Sequence, residues 1–352
     1  MRVRDIGEFG LIDRLVSIVG ESGDGVVTGI GDDTAVLRLD GDKYLLATCD
    51  VQVDGVHFVA DRAPPGDVGH KSLAVNLSDI AAMGGRPRWA LVSLGLAPST
   101  SVGYVEELYR GMQALATRSG LAIVGGNISR AGGAIFVDVT VLGEVSSDRV
   151  IRRSGARPGD VIAVTGTLGD SAAGLALALD QVRGADRQAR SALVERHRRP
   201  EPRIKAGQVL AESGVITAMM DISDGLAQDL GHMCQASGVG AQVDAARLPL
   251  STALLSLAGI GFDPLRAALY GGEDYELLFT VRPDRLDEVA ATVARAGGPA
   301  VTAIGIIVEE NLSLQMPDGQ LTDLSPEGHD HLSGRAMPVK PRPETTRRHR
   351  RR

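Results

Sequence analysis

Lysine is nearly absent from this chain. Lys43, Lys71 and Lys205 are the only three before residue 340, and none follows a glycine. A Walker A loop needs a Gly-Lys pair to reach nucleotide phosphates, so that route is excluded. The glycine-rich loop, catalytic loop and DFG set of protein kinases is missing too. Cysteine is as scarce. Cys49 and Cys234 stand far apart with no metal-type spacing, so neither a zinc site nor an oxidising compartment is implied. Aromatic residues are only 3% of the chain, and no apolar run is long enough to span a bilayer. The opening residues, MRVRDIGEFG, have no apolar core or small-residue cleavage site of a secretory signal. The cytoplasm is the expected location, and no membrane partner is expected.

Glycine and acid are what the chain has in quantity. Among 352 residues there are 44 glycines, with 43% apolar and 23% charged residues. That length predicts two domains, and that composition a loop-rich α+β enzyme. The formal charge of −7 is uneven: residues 340–352 (KPRPETTRRHRRR) carry +6, which leaves −13 on the body. An acidic body suits divalent cations and repels nucleic acid. The basic tail, residues 336–352, reads as a disordered, solvated extension rather than a nucleic-acid arm.

Apolar spacing predicts a strand at 43–51, a helix at 67–84 stopped by Gly84-Gly85, a strand at 88–96 and a helix at 104–119. LAIVGGN and AIFVDVTVLGEV read as two further strands. RRSGARPGD, after Val150, has the composition of a linker. Beyond it come a strand at DVIAVTG, a helix at AAGLALALDQV, an Arg-rich surface helix and loop at 181–203, and a strand at 215–222. A helix follows from SDGL, then a strand read from GGEDYELLFTV, a helix at 284–296 and a strand at AVTAIGIIVEE. Strands do not alternate strictly with helices, which favours α+β over a doubly wound sheet.

Five segments set polar groups at the edges of apolar runs: GIGDDTAV, ATCDVQVDGVHF, NLSDIAAMGG, VGGNISR and MMDISDGL. One aspartate alone would be a helix cap or turn residue. Five such segments in one acidic chain point to a metal. The donors are oxygens, which suits magnesium, and magnesium with few carboxylates takes phosphate oxygens as its other ligands. With so few lysines, metal and backbone N–H groups, including those of the helix after Gly225, must supply the charge for a nucleotide.

In order along the chain, GEFGLI, GIGDDTAV, DGVHF, AVNLSDIAAMGG, RSGARPGD, TGTLGDSAAGL, DISDGL and GGEDYELLF resemble the thiamine-monophosphate kinases of the AIR-synthase-like (PurM-like) ATP-binding superfamily. The likeness runs from residue 7 to 334. The resemblance implies a two-domain PurM-like α+β fold. Residues 1–148 would form an N-terminal ATP- and metal-binding domain that pairs with its twin in a homodimer as a dimeric β-barrel. Residues 149–335 would form the C-terminal α+β domain. It implies in-line transfer of phosphate from ATP to thiamine monophosphate, giving thiamine diphosphate, with several Mg2+ ions. Asp33, Thr48, Cys49, Asp50, Asp79, Asn127, Asp221 and Asp224 match the metal positions, with Asp50, Asp79 and Asp224 at the reacting centre. Gly126, Asn127, Arg153 and Ser223 match nucleotide contacts, and His57, Glu273 and His329 acceptor contacts.

Three positions depart from the family pattern. Asn127 replaces an aspartate, so one ligand loses its charge. Cys49 replaces a threonine, and a thiol is a poor ligand for a hard cation, though its carbonyl can serve. His329 replaces an aromatic ring. Two alternatives stay open: another PurM-like ATP-dependent enzyme acting on a different small phosphorylated or amide substrate, and a catalytically weak ATP-binding relative.

Overall fold

The computed structural model describes residues 5–19, 23–39 and 41–325. They fall into two compact units, residues 5–19 in the first and residues 23–325 in the second. The described part of the first is one helix, α1 (Gly7–Val19), with Glu8 in its first turn. His329 and the 336–352 tail lie outside the described residues.

The second unit is built on two mixed sheets. The first takes β1 (Val26–Thr28), β2 (Ala35–Arg38), β3 (Lys43–Val53), β4 (Arg86–Leu96), β5 (Ala122–Arg130) and β6 (Phe136–Ser146). Their order is β1-β2-β3-β6-β4-β5. Only β4 and β5 run parallel, because a helix connects them. β6 alternates strictly, so Val137, Val139 and Val141 share one buried face with Leu46, Val92 and Leu94. Helices α2 (Pro65–Ala82) and α3 (Val102–Ser119) cover that face. The opposite face leaves Val51, Trp89 and Leu91 exposed.

The second sheet takes β7 (Val161–Thr165), β8 (Ile216–Asp221), β9 (Gly240–Asp244), β10 (Leu277–Val281), β11 (Val301–Val308), β12 (Leu312–Gln315) and β13 (Leu321–Asp323). Their order is β13-β12-β9-β11-β7-β10-β8, with only β9 and β12 parallel. Around it lie α4 (Asp170–Ala178), α5 (Arg187–Arg198), α6 (Ile204–Ser213), α7 (Leu226–Ser237), α8 (Thr252–Ser256), α9 (Pro264–Tyr270) and α10 (Leu286–Arg295). Every residue of β10 is buried, as expected of a strand covered on both faces. The core between this sheet, α6 and α10 also takes Ala81 and Ala82 of α2. Both sheets are open in the described residues, so no barrel closes within one chain. The α+β class expected from the sequence is what forms.

Helix α2 is the common element. Proline at its start suits the first turn, where an N–H has no partner to lose. Nearly every later residue is buried, including the polar His70, Lys71, Ser72, Asn76 and Ser78. It lies close enough to α3 that a Cβ on Gly69 would stand 1.9 Å from the Leu108 carbonyl oxygen.

Two stretches differ from expectation. The strand read from Gly271 begins only at Leu277, because Glu273 and Tyr275 adopt left-handed backbone (φ 68° and 51°) and their N–H groups bond Ser223 and Ile222 oxygens. The Arg-rich stretch at 181–203 does form a helix, yet Arg196 and Arg203 turn inward to the fully buried Glu276. No helix among the described residues is long and apolar enough to cross a membrane.

Gly69→Ala should drive α2 and α3 apart and lower stability by about 2 kcal/mol in urea unfolding. Gly103→Ala, where nothing lies within 4 Å of the added Cβ, should leave the midpoint unmoved.

Candidate functional site

Four chain segments bring carboxylates to one place beside α2. Asp32 and Asp33 come from the turn before β2. Thr48 and Asp50 lie on the α2-facing side of β3, two residues apart and therefore on one face. Asn76, Ser78 and Asp79 project from the last turns of α2. Asp221 ends β8, and Asp224 follows in the turn into α7.

Hydrogen bonds tie these segments together. Thr48 Oγ1 donates to Asp79 Oδ2 at 2.5 Å, and Ser78 Oγ donates to Asp221 Oδ2 at 2.5 Å. Asn76 Oδ1 accepts from the Asp50 N–H at 3.0 Å. Arg153 Nη2 donates to Asp33 Oδ1 at 2.6 Å, and the Arg153 N–H reaches Asp32 Oδ1 at 3.3 Å. Arg152 Nε donates to Thr28 Oγ1 at 3.0 Å, which anchors the segment that carries Arg153.

Charge of one sign is concentrated here. Burial, with the other carboxylates adding to it, holds Asp79 well above the ordinary carboxylate range. Burial pushes Asp33 up to about 8 against the pull of Arg153, and Asp221 up to about 6 against its bond from Ser78. Asp50 lies close enough to raise both Asp79 and Asp221. Asp33 Oδ2 is buried with no hydrogen-bond partner. Hard oxygen donors, mutual repulsion and an orphaned buried oxygen fit Mg2+. Among the described residues no three His, Cys, Asp or Glu side chains converge to hold a metal by themselves. The set is therefore open, and fits a metal whose remaining ligands are phosphate oxygens.

The turn after β8 is braced from below. Asp229 Oδ2 accepts the Asp224 N–H at 3.1 Å and the Gly225 N–H at 3.0 Å. Two N–H groups expected to face an anion at the start of α7 are thus already taken.

A second group of ionic side chains lies where GGEDYEL turns. Glu273 Oε1 is 2.6 Å from Lys71 Nζ, an ion pair without the angle of a hydrogen bond. Glu273 Oε2 is 3.4 Å from His197 Nδ1. Burial alone would raise the Glu273 carboxyl, but Lys71, His197 and the nearby His57 outweigh it and bring it down to about 2. Burial and Lys71 push His197 down to about 3, so the ring is uncharged at neutral pH and Lys71 is the effective cation. His57 Nδ1 accepts the Val53 N–H at 3.1 Å, which fixes its ring at the end of β3.

The structure thus gathers Asp33, Thr48, Asp50, Asp79, Asp221 and Arg153, with Asp224 and Ser223 in the adjoining turn, and sets His57 near Glu273. It does not bring the thiol of Cys49 to them. Strand alternation turns Cys49 to the opposite face, where Sγ lies 3.1 Å from Asp138 Oδ1 and pairs with Thr140. Asn127 registers with Ser93, and Ser93 with Asp138, which sets it in a row on that same face. Gly126 (φ 151°) lies so close to β4 that a Cβ would stand 1.8 Å from the Val92 oxygen. His329 is outside the described residues.

Sequence reasoning passed over Asp32, Asn76, Ser78, Lys71, His197 and Asp229. Ser78 and Asn76 were legible as polar residues on the apolar helix that carries Asp79. Lys71 was legible as a charge inside the same helix. His197 had no signal, because its partner lies 76 positions away in the chain.

Residues 31–145 match the family described as AIR synthase related protein, N-terminal domain, and residues 157–316 its C-terminal domain. The thiamine-monophosphate kinase of Salmonella typhimurium is 40% identical over 328 residues, covering 93% of this chain and 98% of that protein. The enzyme of the same name from Aquifex aeolicus is 42% identical over 286 residues, covering 81% and 89%. The solved structure of AaThiL complexed with AMPPCP and TMP superposes with a TM-score of 0.82 at 39% identity, covering 94% of this chain and 99% of that one.

The Glu273 carboxyl titrates below its ordinary 4.5, so its pairing stabilises the fold fully above that value and is lost as pH falls towards 2. Between pH 5 and pH 3, measured in urea, Glu273 should contribute a fall in stability to the wild type, set against the opposite contribution of the raised Asp33, Asp79 and Asp274. The fall should be shallower in Lys71→Met, which has lost the cation that lowers this group.

Proposed function

The chain belongs to the thiamine-monophosphate kinases of the AIR-synthase-related proteins, and we propose on that premise that it phosphorylates thiamine monophosphate to thiamine diphosphate with ATP and Mg2+. The observation that carries the reading is the meeting of Asp33, Asp50, Asp79 and Asp221, from four segments, beside Arg153. A protein with no phosphate-binding lysine loop has this acidic centre for triphosphate instead.

Asp33, Thr48, Asp50, Asp79, Asp221 and Asp224 would hold magnesium. Bound there, magnesium supplies the positive charge that lets two phosphate anions approach. A phosphate monoester has its second pKa at about 6, so the acceptor is mostly a dianion at neutral pH and needs no base to attack. The transfer is direct and in line: the acceptor oxygen bonds the γ-phosphorus as the bond to the β-phosphate oxygen breaks. Arg153, held by Asp33 and by its own backbone, faces the nucleotide phosphates, with Ser223 and Gly126 as further contacts, while Asn127, which shares the face of Cys49, is not assigned to this centre. His57 and Glu273 hold the acceptor. Cys49 is not assigned as a ligand, since its thiol points away.

Residues 1–148 and 149–335 act as the two domains, each carrying one of the sheets. A second copy of the chain covers the open face of the first sheet, and the two sheets together close the dimeric barrel. The exposed Val51, Trp89, Leu91 and Val124 support this, since they form an apolar surface on β3, β4 and β5. The cytoplasm is the setting that suits two unpaired cysteines.

Purified protein mixed with ATP, magnesium and thiamine monophosphate should form thiamine diphosphate, read by chromatography. Asp50→Asn should lower kcat at least about a hundredfold at saturating ATP. Near wild-type turnover in that variant would sink the acidic-centre account. Leu91→Asp should convert a sedimenting dimer to monomer, whereas a wild type that sediments as monomer would overturn the barrel.

A further inference from the structure

Lys71 is the one ionic side chain in the middle of α2, and it is 5% exposed. Ammonium groups are almost never buried unless paired. Its pair is Glu273, at 2.6 Å, from the turn before β10. The two residues are 202 positions apart and belong to helices and turns packed on different sheets. Glu273 is itself held in an unusual backbone state, with φ 68° and its N–H bonded to the Ser223 oxygen at 2.7 Å. Such a conformation is strained in a non-glycine residue and persists only where the surroundings enforce it. Lys71 takes one carboxylate oxygen. The neutral His197, whose Nδ1 also lies 3.1 Å from Ser171 Oγ, stands beside the other. The Glu273 side chain keeps 24% of its surface open.

We propose that Lys71 is a positioning residue for the acceptor: through its ion pair it fixes the direction of the Glu273 carboxylate, so that the open part of that group meets thiamine monophosphate in one orientation. The inference rests on the reading that Glu273 contacts the acceptor. Lys71 does not touch the nucleotide or the acceptor. Its effect passes through Glu273, and the Glu273 N–H bond to Ser223 ties that placement to the turn carrying Asp224.

The test is steady-state kinetics and calorimetry on the full chain with Mg-ATP and thiamine monophosphate. Lys71→Met should raise KM and Kd for thiamine monophosphate at least about tenfold, and leave KM for ATP within about twofold. Lys71→Arg should recover most of the loss. In a Glu273→Gln background, Lys71→Met should add almost nothing, because both changes break one interaction. Lys71→Gln, close in length, takes the place of Met should that variant not fold. Equal loss in both backgrounds would overturn the proposal, since Lys71 would then act directly. So would a rise in KM for ATP matching that for the acceptor, which marks a merely structural role, or no change at all. A wild type that binds thiamine monophosphate but forms no thiamine diphosphate would overturn the kinase reading. Calorimetric acceptor binding would still decide the role of Lys71.

Discussion

Carboxylates of one sign buried side by side repel, and the centre of this protein is organised around containing that repulsion. Asp221 is buried and Asp33 and Asp79 are nearly so, yet among the described residues the only cation paired with them is Arg153. Water cannot screen them, and burial favours their neutral forms. What holds the set open is a scaffold of short hydrogen bonds from neutral groups. Thr48 serves Asp79, Ser78 serves Asp221, and Asn76 fixes the main chain at Asp50. Asn76, Ser78 and Asp79 all lie within the last two turns of α2. That helix is therefore the frame on which the first sheet, the second sheet and the acidic centre are aligned.

The same logic recurs with the opposite balance at the GGEDYEL turn. There each acid has its own partner. Glu273 pairs with Lys71, Asp274 accepts the Gly169 and Ser171 N–H groups at 2.6 and 3.1 Å, and Glu276 receives Arg196, Arg203 and Thr165. A buried ion pair adds little net stability, but removing one partner is costly, so such clusters act as geometric locks. They bind α2, α4, α5 and α6 to one turn. The acidic centre is held by one arginine and by neutral donors among the described residues, and that contrast separates where the fold is locked from where magnesium and phosphate fit.

Much of this was legible before any coordinates. The alternation of FVDVTVLGEV announced β6, and the apolar spacing of 67–84 announced α2. DISDGL and GIGDDTAV marked their aspartates because a carboxylate at the edge of an apolar run needs a partner. Less was legible at GGEDYEL, read as the start of a strand. Its left-handed residues answer to contacts with Ser223 and Ile222, which no local propensity encodes. Arg196 and Arg203 were read as surface charge because arginine on an amphipathic helix ordinarily is solvated. Their turn inward follows from Glu276, 80 and 73 positions away.

The sequence by itself determined the chemistry available: oxygen donors in place of thiols, almost no lysine, and glycine-rich turns at motif positions. Residue types and their order are sufficient for that, because the preference of oxygen donors for a hard cation belongs to the donor atom. Only the tertiary structure decided which of those donors meet. Strand alternation sends Thr48 and Asp50 to one face and Cys49 to the other, so adjacent residues have separate fates. Folding also sets Lys71 against Glu273, a pairing across 202 residues that depends on how α2 packs between two sheets.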